Sequence, residues 1–187
     1  AVLGLARTGI SSAPVLRELG ATVRLVDSAP EAAVVERAAA ARSQGFEVLT
    51  SASPEASIAG ADLIVPSPGI PADAPALRLA VRTGIPVFSE IEVAYRISRA
   101  PILAVTGTNG KTTSAMMLAD ILRASGRRTW LAGNISADDV KQTLITAANR
   151  AEELDAIVAE ISSFQLEWVH EFCPAVGVLT NITPDHL

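Results

Sequence analysis

At 187 residues, 49% of them hydrophobic and 19% charged, the chain has room for one large domain or two small ones. It is too apolar to be disordered. Fifteen Lys and Arg against twenty Asp and Glu leave a net charge of −5, the reverse of the basic excess a duplex-coating protein carries. Four Phe, two Trp and one Tyr also offer few stacking platforms, so no nucleic-acid partner is expected. No apolar run approaches the ~18 residues of a membrane span, and AVLGLARTG at the start lacks the basic and apolar regions of a signal peptide. The expectation is a cytoplasmic protein with no membrane partner. The one cysteine, Cys173, has no internal disulfide mate and reads as a small buried hydrophobe. The chain begins as though inside a strand and stops on a polar turn, which suggests a piece of something longer.

Short apolar runs alternate with segments of helical period. A strand at 1–5 precedes Gly9 and a helix running to Gly20; Pro14 is tolerated if that helix begins near Ser11 or Ser12. A strand at 22–27, an Ala-rich helix at 31–43 and strands at 46–49 and 62–66 follow. The turn Ser67-Pro68-Gly69 comes next, then a helix at 74–83, a strand at 86–89 and a helix at 90–97. Ser98-Arg99-Ala100-Pro101 reads as a linker. The pattern then restarts, with strands at 102–106, 129–132, 156–160 and 176–181 and helices at 111–125 and 136–149. Apolar strands separated by helices predict an α/β fold with parallel sheets, as two domains, 1–99 and 100–187.

The strongest motif joins the strand Ile102-Leu103-Ala104-Val105-Thr106 to Gly107-Thr108-Asn109-Gly110-Lys111-Thr112-Thr113 and a helix. Glycines let successive N–H groups converge on phosphate oxygens, and the helix N-terminus adds partial positive charge. Lys111 can reach the β- and γ-phosphates, and the Thr112 hydroxyl can ligate Mg²⁺. Only Thr108 and Asn109 separate the first glycine from the Gly-Lys pair, so the loop is a shortened variant of the P-loop. Glu160 ends an apolar strand, where open α/β sheets bind ligands and where a carboxylate can hold that Mg²⁺. Asn181-Ile182-Thr183-Pro184-Asp185-His186 follows the last strand, so its polar groups should reach the same edge of the sheet, with His186 a candidate metal ligand and Asp185 its support. In the first domain Gly4-Leu5-Ala6-Arg7-Thr8-Gly9 is a poor dinucleotide fingerprint, because Ala6 replaces the middle glycine. Arg7 and Thr8 can still donate to a diphosphate at the helix start, and Asp27 lies where a ribose-binding acid would.

The segment 106–113 resembles the ATP loop of the Mur ligases and their folylpolyglutamate synthetase relatives. Glu160-Ile161-Ser162-Ser163-Phe164-Gln165-Leu166-Glu167 is similar to the D-glutamate-adding branch of that family. Gly4 to Ser11, Ser67 to Ile70, Gly133-Asn134-Ile135 and Asn181 to His186 fall in the same order, so the resemblance covers essentially the whole chain. It implies a Rossmann-like domain for a UDP-sugar at 1–99, the front part of a central ATP-binding domain at 100–187, and a C-terminal domain absent from this chain. The implied enzyme, working as a monomer, uses ATP to convert the carboxylate of UDP-N-acetylmuramoyl-L-alanine into an acyl phosphate, which D-glutamate attacks. The resemblance assigns ATP to Gly107, Thr108, Asn109, Gly110, Lys111, Thr112 and Thr113. It assigns Mg²⁺ to Thr112, Glu160 and His186, and catalysis to Lys111, Glu160 and His186. The uridine diphosphate falls to Arg7, Thr8, Asp27, Ser28 and Gly69, and the rest of the substrate to Asn134, Ser162 and Gln165. Ser28-Ala29 departs from the family's usual Thr-Arg, and Ser136 stands where a glycine is usual. Three alternatives remain open: a Mur-type ligase for another amino acid, a non-catalytic nucleotide-binding fragment, and a nicotinamide-dependent dehydrogenase, which Ala6 weakens.

Overall fold

The computed structural model describes residues 1–29, 32–135 and 142–184. The chain divides into two compact units, Ala1–Glu90 and Ile91–Leu187.

The first unit holds β1 (Val2–Leu3), α1 (Arg7–Glu18), β2 (Arg24–Asp27), α2 (Ala32–Ser43) and β3 (Glu47–Thr50). It continues with α3 (Pro54–Ile58), β4 (Val65–Pro66) and α4 (Pro75–Arg82). Its four strands are parallel in the order β3-β2-β1-β4. The expected strand at 86–89 shrinks to one parallel bridge, Val87 to Ile64. Val2, Leu25, Ile64, Val65, Leu77 and Ala80 are buried between sheet and helices, each larger side chain contributing roughly 1.5–3 kcal/mol of burial.

Helix α1 starts at Arg7, earlier than the Ser11 or Ser12 start expected from Pro14. Gly9 lies against the Gly4 carbonyl so closely that a Cβ there would collide with it, and the chain therefore turns straight from β1 into helix. Pro14 consequently sits inside the helix, where it denies the Ile10 carbonyl a donor. The five-residue α3 was not expected. Ser53 caps it by accepting from Ala56 N–H (3.2 Å), and Pro54 supplies the preset φ of a first helical residue.

The second unit contains α5 (Glu90–Ile97), whose first residue closes the preceding unit, then β5 (Ile102–Thr106), α6 (Lys111–Ala124) and β6 (Thr129–Gly133). It ends with α7 (Leu144–Arg150), β7 (Ala156–Glu160), a 3-10 turn at Ser163–Leu166 and β8 (Val176–Leu179). The parallel order is β6-β7-β5-β8. All five residues of β7 are buried, because this strand lies inside the sheet and is covered on both faces. Ala115 and Ala119 of α6 pack over Val105, Leu131 and Val158, their small side chains letting the helix sit close to the strands. Helix α7 begins at Leu144; the rest of the helix expected from 136 falls largely on 136–141, outside the described residues.

Helix α5 was expected to belong with the first domain, yet from Ile91 onward it is part of the second unit. Its fully buried Glu92 accepts from the N–H groups of His170 (2.8 Å), Glu171 (3.0 Å) and Phe172 (3.0 Å), and from Arg96 Nε at 2.7 Å. The Tyr95 ring also stands edge-on to Phe172 at 5.7 Å. Cys173, expected to be buried, is exposed. It lies in the irregular stretch before β8, where Phe172 rather than Cys173 turns toward α5.

Candidate functional site: a phosphate loop over a buried carboxylate

β5 and β7 lie side by side, with Val105 opposite Glu160. The chain leaves β5 at Thr106 and turns through Gly107 (φ 131°) and Gly110 (φ 82°), left-handed conformations that favour glycine, into α6. That turn brings Thr112, in the first turn of α6, across to the neighbouring strand. Its Oγ1 donates to Glu160 Oε2 at 2.7 Å. Glu160 is buried at the carboxyl end of β7. Lys111 Nζ bends over the loop and donates to the Gly107 carbonyl (2.7 Å) and the Thr108 carbonyl (2.9 Å). With no acid in the first turn of α6, the loop amides and Lys111 face the mouth with positive charge, while the Glu160 carboxylate lies against Thr112.

The segment after β8 holds the loop from the side. Asn109 N–H donates to Asn181 Oδ1 (3.0 Å), while Asn181 Nδ2 donates to the Asn109 carbonyl (3.0 Å). Thr180 Oγ1 donates to that same carbonyl at 2.7 Å. Thr108 N–H donates to the Asn181 carbonyl (3.0 Å), and Thr108 Oγ1 accepts from Thr183 N–H (3.0 Å). A Cβ on Gly107 would collide with Thr180 Oγ1, so glycine is required there for contact as well as for φ. Neither Thr180 nor the anchoring side chain of Asn181 was anticipated as part of this loop. The shortness of the loop was the available signal, since two residues cannot hold themselves in place.

Asn134 and the 162–165 run lie at the same end of this sheet. Gly133 pairs with Glu160 across β6 and β7, and Asn134 N–H donates to the Glu160 carbonyl at 2.9 Å. Asn134 itself is exposed. Two residues beyond Glu160, Ser162 N–H and Oγ both donate to Gln165 Oε1, at 2.9 and 3.1 Å. The buried Gln165 thus orients the half-exposed Ser162. His186 and Asp185 lie outside the described residues.

Thr112 and Glu160 are a chemically suitable pair for Mg²⁺, since both offer hard oxygen donors and one carboxylate oxygen already meets the hydroxyl. Among the described residues no group of three or more His, Cys, Asp or Glu is placed to hold a metal. Mg²⁺ does not ask for one: it takes one or two carboxylates and fills its shell with phosphate oxygens and water.

The first unit gathers its predicted residues at the carboxyl ends of β1, β2 and β4. Asp27 accepts from Leu5 N–H (2.7 Å) and Ala29 N–H (2.9 Å), tying the β1 loop to the end of β2. Ser67 N–H donates to the Leu3 carbonyl (2.8 Å), which sets the turn carrying the exposed Gly69 beside the same loop. Helix α1 opens on Arg7 and Thr8 with Ala6 at its cap, no capping side chain and no acid in its first turn. That is an N-terminus suited to an anion. Ser28 is exposed at the end of β2.

Among the described residues no helix is long and apolar enough to cross a membrane.

Comparison with known proteins matches both units. The family profile described as "Mur ligase MurD-like, N-terminal domain" covers residues 1–89, and "Mur ligase middle domain" covers 105–187. The UDP-N-acetylmuramoylalanine–D-glutamate ligase of Trichlorobacter lovleyi is 42% identical over 186 residues, all of this chain and 41% of that protein. The ligase of the same name from Alkaliphilus metalliredigens is 40% identical over 188 residues, all of this chain and 40% of that protein. The chain thus spans about two fifths of the length of the curated relatives it matches. Among solved structures, the UDP-N-acetylmuramate:L-alanyl-gamma-D-glutamyl-meso-diaminopimelate ligase from Neisseria meningitides matches 99% of this chain and 60% of its own. Its TM-score is 0.62 at 20% identity. The UDP-N-acetylmuramate-alanine ligase from Thermotoga maritima matches 99% of this chain and 41% of its own, with TM-score 0.58 at 21% identity. At that identity these two speak for the α/β fold. With its phosphate loop, its buried strand-end acid and profile matches across both units, the chain belongs to the Mur ligase family, of which it carries N-terminal and middle domains.

Proposed function

We propose that this chain serves an ATP-dependent ligase that adds D-glutamate to UDP-N-acetylmuramoyl-L-alanine, a step in peptidoglycan precursor synthesis. The observation that carries the reading is the 2.7 Å contact between Thr112 and the buried Glu160 beneath a phosphate loop with Lys111 across its mouth. It supports phosphoryl chemistry, and identity of 40–42% along the whole chain to D-glutamate ligases supports the acceptor.

The loop amides of 107–113 and Lys111 bind the ATP phosphates. When ATP binds, Lys111 exchanges its carbonyl partners for the β- and γ-phosphate oxygens. Thr112 and Glu160 would hold Mg²⁺, with His186 at a second ion; the metal neutralises charge between triphosphate and carboxylate. An oxygen of the L-alanine carboxylate attacks the γ-phosphorus, and the bond to ADP breaks. The D-glutamate amine then attacks the acyl carbon, a proton leaves the nitrogen, and inorganic phosphate departs from the tetrahedral intermediate. In the first unit the α1 N-terminus with Arg7 and Thr8 takes the diphosphate of the UDP-sugar, and Asp27, Ser28 and Gly69 border its nucleoside. Asn134, Ser162 and Gln165 position the reacting end of the substrate.

The test is ATP-dependent phosphate release by the enzyme that carries this sequence, with UDP-N-acetylmuramoyl-L-alanine and each amino acid offered in turn. Release stimulated by D-glutamate is expected; release with only L-alanine or a diamino acid would reassign the acceptor. Lys111→Ala is expected to lower that release at least ~10³-fold while the UDP-substrate still binds. Equal loss of both would end the division of labour between the units.

A further inference from the structure

The phosphate loop is held largely by residues outside it. It has only Thr108 and Asn109 between its first glycine and the Gly-Lys pair, yet its amides must converge to bind phosphate. Its tip at Asn109 is exposed and lies in no helix or strand. What fixes the tip is the chain after β8. The Asn181 amide meets Asn109 at two points, accepting from its N–H and donating to its carbonyl, each at 3.0 Å. A planar amide paired this way with one residue's backbone imitates one rung of a sheet and fixes both the position and the rotation of that peptide. Thr180 Oγ1 adds a third bond to the same carbonyl, at 2.7 Å. Thr108 is bracketed by Asn181 and Thr183.

We propose that Asn181, seconded by Thr180, is a positioning residue for the phosphate loop: it orients the Asn109 peptide so that the loop amides meet the nucleotide phosphates. Asn181 acts through Asn109 and does not itself touch phosphate. The role also links the loop mechanically to the segment 180–183, so phosphate binding at the loop steadies that segment in return. The inference rests on ATP being the ligand of this loop.

Two readouts on the enzyme that carries this sequence separate the inference from that reading. The first is amide hydrogen exchange without nucleotide. Asn181→Ala is expected to speed exchange across 107–110 at least tenfold, with β7 and the carboxyl half of α6 unchanged. The second is calorimetric titration with MgATP. Asn181→Ala is expected to weaken binding about tenfold, Thr180→Val about threefold, and Thr180→Ser, which keeps the hydroxyl, less than twofold. Exchange unchanged in Asn181→Ala overturns the proposal outright. Faster exchange with unaltered MgATP affinity leaves the contact real and overturns the positioning role, as does equal weakening by Thr180→Val and Thr180→Ser. Loss of protection throughout β5 and α6 would show a general structural role, which also overturns it. If the unaltered enzyme binds no MgATP, the ATP reading of this loop fails and the positioning role fails with it. The exchange experiment still reports whether the loop is held.

Discussion

A side chain at Gly133 would meet the backbone of Glu160, whereas one at Gly110 would meet nothing within 4 Å. Both glycines have positive φ, 102° and 82°, so both resist substitution, but for different reasons. Gly110→Ala carries only the left-handed penalty, about 1–2 kcal/mol. Gly133→Ala adds a collision with the strand that bears Glu160, and the sheet edge must open to relieve it, for ~3 kcal/mol in all. Denaturant unfolding of the second unit is therefore expected to rank Gly133→Ala as the more destabilising. Its damage should reach Glu160 and weaken MgATP binding as well. Equal destabilisation by the two would mean that β6 and β7 are not so closely joined at this end. The difference was only half legible in the sequence. Gly107, Gly110 and Lys111 stand out because the pattern of a phosphate loop places two glycines and a lysine in this order between a strand and a helix. Gly133 and Asn134 drew notice through family resemblance alone, since the contact that constrains Gly133 is to a different strand. Asn181 was read as part of a polar turn reaching the same edge of the sheet, but its grip on Asn109 was not, because nothing in a linear chain shows which backbone an amide will meet.

Helix α5 illustrates the same limit one scale up. Its bounds, 90–97, were readable from periodicity, as were those of β5 and β7, whose apolar runs end at a glycine loop and at an acid. Its allegiance was not, because the residue that decides it is a Glu that local pattern assigns to solvent. Burial pushes the Glu92 carboxyl up, but the N–H groups of His170, Glu171 and Phe172 together with Arg96 outweigh it, and its pKa falls below the usual 4.5. A depressed carboxylate stabilises the fold fully above its unfolded pKa and loses that contribution as pH falls through the lower folded value. The second unit should therefore lose stability in acid, below about pH 4.5, with Glu92 a main contributor. Glu92→Gln keeps the size but gives up the charge and turns an N–H₂ toward donors; a loss of about 3 kcal/mol at neutral pH is expected, with a flatter acid limb. Urea unfolding of both proteins between pH 3 and pH 7 checks it; parallel curves would remove Glu92 from that role. The elements that periodicity missed are the short ones. Helix α3 and the 3-10 turn after Ser162 are too brief to show a repeat and are fixed by single side chains, Ser53 and Gln165.

For the whole chain the informative fact is that two sheets of parallel strands each bring one candidate nucleotide site to the carboxyl ends of their strands. In the first, the glycine turn after β1 feeds α1; in the second, the loop after β5 feeds α6. The two sites differ in charge design. The α6 loop brings Lys111 and sets Thr112 against a buried carboxylate, the arrangement that the proposed phosphoryl transfer with a metal calls for. The α1 turn has Arg7 and Thr8, while the Asp27 carboxylate is already engaged by two backbone amides, an arrangement suited to holding a nucleotide without reacting with it. If the sites are separate in this way, each ligand should stabilise its own unit. UDP at a hundred times its dissociation constant is expected to add about 2.7 kcal/mol to the unfolding free energy of residues 1–90, read as slower amide exchange in β1, β2 and α1. MgATP at the same multiple should do so for β5, β7 and α6. Lys111→Ala should abolish the second effect and leave the first unchanged. UDP protection confined to the second unit would place the uridine nucleotide at the wrong sheet. It would also leave the uncapped start of α1 without a ligand.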